Sequence, residues 1–126
     1  MKNFEKWFKK AEQDLFTIEA LLRLENCPAE ICCFHAQQTS EKYLKAYLVA
    51  RNTDFPKTHD LKVLIVLCSK FNSKFDDIAI IASRLSEFGA ATRYPGVFDE
   101  LTLADAQQAY ENAIIIKDFV LKYFFE

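Results

Sequence analysis

Residues 33–48 read CFHAQQTSEKYLKAYL, which places His35, Gln37, Gln38, Glu41 and Lys42 within two turns of a segment with helical spacing, where a small protein would want core. Histidine can donate, accept or carry charge near neutral pH, lysine neutralises phosphate, and glutamine both donates and accepts. Such a set could receive an anion or the hydrogen-bonding edge of a nucleotide. Two loops carry more of the same chemistry. One holds Arg51, Lys57 and His59 around NTDFPKTHD, and the other holds Arg93 and Tyr94 in TRYPGVFDE. His59 stands just before a helix start, where backbone N–H groups and the helix dipole favour an anion. Arg93 can fork two bonds to a phosphate, and Tyr94 can stack on a base. In a phosphate site Lys42, Arg93 and Lys57 would neutralise charge while His35 and Gln38 supply hydrogen bonds.

A structural reading of the same residues stays open. At 100° per residue His35, Gln38, Thr39 and Lys42 share a stripe roughly 100° wide. Cys33, Ala36, Ser40, Leu44, Tyr47 and Leu48 form the opposite face, with Gln37 and Glu41 flanking it. Glu41 precedes Lys45 by four, the favourable order for a helical ion pair. Buried polar groups usually mean satisfied hydrogen bonds. On this reading His35 and Gln38 bond between helices, Lys42 and Lys45 are solvated, His59 helps cap the next helix, and Arg93 ties its loop to a helix end. The sequence shows no Gly-rich phosphate loop, paired catalytic carboxylates or Ser–His–Asp order.

The elements that must position these groups are helices. Trp7, Phe8, Ala11, Leu15, Ile18, Leu21 and Leu22 recur at helical spacing, predicting a first helix over about Phe4–Glu25. Asn26 and Pro28 stop it. A second helix is expected over about Ala29–Arg51, ended by Asn52 and Pro56. A third starts near Asp60 or Leu61, with Thr58 or Asp60 as its cap, and carries LKVLIVLCSKF. NSKFDD breaks it, and a fourth covers about Asp77–Ala91. The fifth begins at Thr102, capped together with Asp105, and reaches about Phe124. With no convincing strand, the expected fold is an all-α, antiparallel up-and-down bundle of about five helices, framed by the first, second and fifth.

The 126 residues suit one domain spanning 1–126 and one core, with hydrophobic residues at 51% and twelve Phe. A net charge of −2 gives no global case for nucleic-acid binding, although a local basic patch could still serve. The charged N-terminal stretch lacks a signal-peptide pattern, and no apolar run is long enough to span a bilayer, so a cytoplasmic, non-membrane protein is expected. Cys27, Cys32, Cys33 and Cys68 form no CxxC pair and read as reduced, buried thiols. A metal site using Cys33 and His35 lacks further ligands, so no metal or cofactor is expected.

FHAQQTSEKYLKAYL, then KTHDL, then RYPG, with an early Trp7, KKAEQDL at 9–15 and a final amphipathic helix, together resemble the HEPN domain family. The resemblance spans essentially the whole chain and implies a helical bundle that is usually a homodimer. It also implies an important face at His35, Gln38, Glu41, Lys42, His59, Arg93 and Tyr94. Small prokaryotic members often stand beside a minimal nucleotidyltransferase in toxin–antitoxin or nucleotide-modifying pairs. Many other members are metal-independent ribonucleases using Arg, four to six residues, then His. Here Arg51 and His59 are separated by seven residues and Arg23 and His35 by eleven, so the strict motif is absent and no catalytic residue is carried over. The resulting expectation is an accessory protein that binds a nucleotide or RNA and works with a nucleotidyltransferase. The alternatives are a ribonuclease with a relaxed Arg51–His59 pair and a protein-interaction module without ligand.

Overall fold

A computed structural model describes residues 2–93 and 100–126, without the side chains of 90–93. The described chain is all-α. Its helices are α1 (Asn3–Leu22), α2 (Ala29–Ala50), α3 (Leu61–Ser69), α4 (Ala79–Arg93) and α5 (Leu103–Tyr123), with a 3-10 turn at Ser73–Ile78 between α3 and α4. Local chemistry sets several ends. Asp60 caps α3 by accepting from the Lys62 N–H. Thr102 and Asp105 form a reciprocal capping box at the start of α5. Asn52, at the end of α2, takes a positive φ of 52°, a conformation Asn tolerates better than most residues.

Several boundaries differ from the sequence expectation, α3 ending at Ser69 before KF and α4 reaching Arg93 among them. Helix α1 stops at Leu22 rather than Glu25, with the Arg23 N–H donating to the Ala20 carbonyl and the Leu24 N–H to the Leu21 carbonyl. Helix α4 begins at Ala79 rather than Asp77, because Ser73–Ile78 winds as a 3-10 turn that Asn72 caps. The tighter winding puts Phe75 and Ile78, three apart, on one face, and both are buried.

The pairing of side chains gives the helix directions. Phe8 meets Tyr43 and Asp14 meets His35, so α1 and α2 run antiparallel. Phe8 meets Phe124, Glu12 meets Lys117 and Glu19 meets Tyr110, so α1 and α5 are antiparallel as well. The connection 51–60 doubles back along α2. His59 therefore lies beside Gln37 and Glu41, and Cys68 lies beside the Leu44 carbonyl further down α2.

Helix α2 is central and packs against α1, α3, α4 and α5. Tyr43, Leu44, Tyr47 and Leu48 are its large core groups. Ala106, Ala109 and Ala113 of α5, spaced three to four apart and fully buried, let that backbone approach α2 closely. Because neighbours surround α2, its polar residues are enclosed as well. Gln37, Thr39, Ser40, Glu41 and Lys45 are all buried. Lys45, expected to be solvated, is only 9% exposed, since the rings of Trp7 and Phe55 fold over it at 5.6 and 5.3 Å. All four cysteines are free thiols.

Candidate functional site

Two carboxylates organise the polar stripe of α2. The first is Asp14, from the middle of α1. Its neighbours Ala11, Leu15 and Ile18 are core residues, so the α1 stripe that buries them also carries Asp14 inward. Asp14 Oδ1 meets His35 Nδ1 at 2.8 Å, and Asp14 Oδ2 accepts from Lys42 Nζ. The three side chains are 11%, 24% and 22% exposed, so the cluster lies at the edge of the α1–α2 seam. Phe34 packs edge-on to the His35 ring, and Thr39 donates back to the His35 carbonyl at 2.8 Å.

Glu41 is the second centre, buried on the adjoining side of α2. Its Oε1 meets His59 Nδ1 at 3.1 Å and accepts from Gln37 Nε2 at 3.3 Å, while Oε2 accepts from Lys45 Nζ at 3.2 Å. The expected Glu41–Lys45 ion pair is therefore present. Gln37 Nε2 also donates to the His59 carbonyl at 2.8 Å, and Gln38 donates to Gln37 Oε1 at 2.9 Å. Gln38, which shares the helical stripe of His35 and Lys42, thus bonds into the Glu41 network. Each centre combines one carboxylate, one imidazole and one lysine.

His59 neither caps α3 nor leaves that N-terminus open. Asp60 fills the cap, and the Leu61 N–H donates to Ser86 Oγ at 2.9 Å. The His59 side chain is 58% exposed, with its ring held at one nitrogen by Glu41. Lys57 is exposed on the same loop. Arg51 stands apart from this network. Its guanidinium lies 3.5 Å from the Tyr47 ring centroid and donates to the carbonyls of Tyr47, Phe124 and Glu126. Arg51 and His59 therefore have separate sets of partners. Arg93 ends α4, while its side chain and the whole of Tyr94 lie outside the described residues.

Sequence reasoning named His35, Gln38, Glu41, Lys42 and His59, and the fold gathers them into two bonded groups: His35 and Lys42 on Asp14, and Gln38, Glu41 and His59 joined through Gln37. It missed Asp14, the acceptor that fixes both His35 and Lys42. The available signal was a carboxylate three residues after Ala11 and four before Ile18, inside an otherwise apolar stripe. A further seam joins α1 to its neighbours. Tyr43 donates to Glu12 at 2.7 Å, Lys117 donates to Glu12 at 2.9 Å, and Tyr110 donates to Glu19 at 2.7 Å. Burial tends to raise the Glu12 carboxyl, but the bonds from Lys117 and Tyr43 outweigh it and hold the group below its ordinary value. Burial and the bond to Glu12 push the Tyr43 phenol well above its own.

Among the described residues no group of His, Cys, Asp and Glu side chains could hold a metal ion, and no helix is long and apolar enough to cross a membrane. No curated protein matches the sequence. Two solved structures share the fold over almost the whole length of both chains. TT1696 from Thermus thermophilus superposes with a TM-score of 0.83 at 25% identity, covering 97% of this chain and 98% of its own. ST0689, described as an archaeal HEPN homologue, superposes with a TM-score of 0.77 at 28% identity, covering 98% of this chain and 99% of its own. The sequence matches the HEPN domain over residues 4–123, a span that holds both carboxylate centres, and the chain belongs to the HEPN domain family.

Proposed function

We propose that this chain is a HEPN-type accessory protein that binds a nucleotide or an RNA segment through phosphate, along the polar edge of α2. In this reading it acts as a homodimer beside a nucleotidyltransferase, in a two-protein module of toxin–antitoxin type. The observation that supports ligand binding is the Asp14 centre, where one buried carboxylate anchors two partly exposed donors, His35 and Lys42. With Nδ1 turned to Asp14, His35 keeps Nε2 for a ligand, and Lys42 keeps further ammonium protons. Donors already held in place lose less freedom when a ligand arrives. Asp14 and Glu41 balance Lys42 and Lys45 locally, so the additional positive charge for a phosphate comes from Lys57 and Arg93.

The decisive measurement is titration of the protein with ATP and with a short single-stranded RNA, at two salt concentrations. Lys57 is exposed, and its side chain bonds to none of the described residues, so Lys57→Ala should leave the melting temperature unchanged. It should weaken binding about 5- to 150-fold, corresponding to about 1–3 kcal/mol for a charge-assisted bond. Higher salt should weaken binding further. A parent protein that binds neither probe would refute the ligand reading. Co-purification with the product of a neighbouring nucleotidyltransferase gene tests the partnership.

A second reading, an interaction module without ligand, draws on a specific observation. The stripe residues already have partners within the protein, while Phe16, Ile80 and Phe125 stand largely exposed. On that reading the polar network holds α1 and the 51–60 loop to α2, and the apolar surface meets protein. Failure to bind either probe, together with a tight protein complex, would select it. Arg51 is engaged by Tyr47 and by the carbonyls near the end of α5, which gives no support to an Arg51–His59 ribonuclease pair.

A further inference from the structure

The entrance to α2 holds a second piece of chemistry that the ligand reading does not use. Cys27 lies in the connection from α1, just before Pro28, the residue that caps α2. Cys32 lies in the first turns of that helix, and its backbone N–H donates to the Pro28 carbonyl at 3.2 Å. The Cys27 and Cys32 sulfurs are 3.5 Å apart. A disulfide needs about 2.05 Å, so closure asks for a movement of only about 1.5 Å. The flexible partner is available, because Cys27 belongs to a short connection rather than to a helix.

The two thiols differ in access. Cys27 is half-buried and lines an open cleft with Pro28, Ile31, Leu101 and Leu103. Cys32 is fully buried behind it. Cys33, although adjacent in sequence, is also fully buried and turned away by one helical step of about 100°. A small oxidant entering the cleft therefore meets Cys27 first, with Cys32 as the nearest second sulfur.

We propose that Cys27 and Cys32 form a reversible dithiol–disulfide site, with Cys27 as the attacking sulfur, Cys32 as the resolving one, and a peroxide as the oxidant. The Cys27 thiolate attacks one peroxide oxygen, breaking the O–O bond and giving a sulfenic acid and hydroxide, which takes up the proton the thiol had released and leaves as water. Cys32 sulfur then attacks the Cys27 sulfur, the S–OH bond breaks, and the hydroxyl leaves with the Cys32 proton as a second water. Two thiols lose two electrons and two protons, and the peroxide takes up both. Burial, together with the Cys27 sulfur alongside, raises the Cys32 thiol to about 12, which keeps it protonated until the sulfenic acid forms beside it. The product is a covalent tie between the α1–α2 connection and the first turns of α2.

The test is to treat the reduced full chain with hydrogen peroxide and count thiols after denaturation. Two of the four thiols should disappear, the mass should fall by two hydrogens, and dithiothreitol should restore both. A glutamate-specific protease cuts after Glu30, so a bridged Cys27 and Cys32 leave on two peptides joined only by sulfur. Cys27→Ser should keep its three thiols under the same treatment, and Cys33→Ala should still form the bridge. Unchanged thiols in the parent, Cys27 stopping at sulfinic acid beside a free Cys32, or equal thiol loss in Cys27→Ser would each overturn the assignment.

Discussion

Replacing Asp14 by Asn tests whether the polar stripe is held by its carboxylate centres. The substitution keeps the shape but removes the charge that accepts from both Lys42 and His35. Hydrogen bonds to charged groups contribute about 1.5–3 kcal/mol each. Uncoupling a fully buried ion pair costs about 3–5 kcal/mol. Here water reaches both partners, which are 22% and 24% exposed, and an Asn oxygen can still accept one bond, so the loss should be smaller. About 2 kcal/mol is the reasonable figure. For a chain of 126 residues, an unfolding entropy of about 2.1 cal/mol/K per residue turns that into a fall of about 8 °C in melting temperature. Thermal melts of Asp14→Asn, Lys42→Met and the double variant form a double-mutant cycle, and the coupling between the two sites should be at least about 1 kcal/mol. If Asp14→Asn melts within about 1 °C of the parent, the carboxylate centre does not hold α1 to α2 and the reasoning fails.

Two other outcomes follow from side-chain contacts, and a third tests the proposed dimer. Glu12 has a lowered folded-state pKa, so its contribution is present above the ordinary glutamate value of about 4.3 and fades as pH falls below it. Melting curves of Glu12→Gln should therefore lose less stability on acidification than the parent, and an equal acid slope would count against the Lys117–Glu12–Tyr43 seam. Arg51→Ala should cost about 1–2 kcal/mol and should loosen amide exchange selectively near residues 121–126, because it removes donors to the Phe124 and Glu126 carbonyls. Exchange that rises uniformly along the chain would show that the arginine has no such local role. Light scattering over a dilution series should give a dimer mass, and a monomer at every concentration would remove the homodimer from the proposed function.

The architecture was legible because helical spacing, stop signals and caps agreed with one another. Thr102 with Asp105, and Glu41 with Lys45, could be paired from sequence because both are local contacts on one helix. The site was legible on α2 and, as a residue type without its partner, at His59. His35 and Lys42 stand out on α2, but their shared acceptor belongs to α1, 21 and 28 residues away in sequence. The burial of Lys45 depends on Trp7 and Phe55 converging from two other segments, which no local pattern announces. His59 reaches Glu41 because the 51–60 connection turns back along α2, whereas a cap signal describes only the helix that follows.

The enclosure of α2 also governs how the molecule comes apart. Helices α1, α3, α4 and α5 all pack against it, and α1 has no comparable contact with α3 or α4 among the described residues. Melting of such a hub removes the largest helix packings of the bundle, and what stays is smaller, chiefly the packing of α3, the 3-10 turn and α4 on one another. The backbone of α2 should therefore exchange with solvent more slowly than the first turn of α1, which is the expected outcome of an amide-exchange measurement. Folding meets the converse constraint: α2 must find neighbours from both sides of the sequence, so contacts distant along the chain are needed to complete its packing.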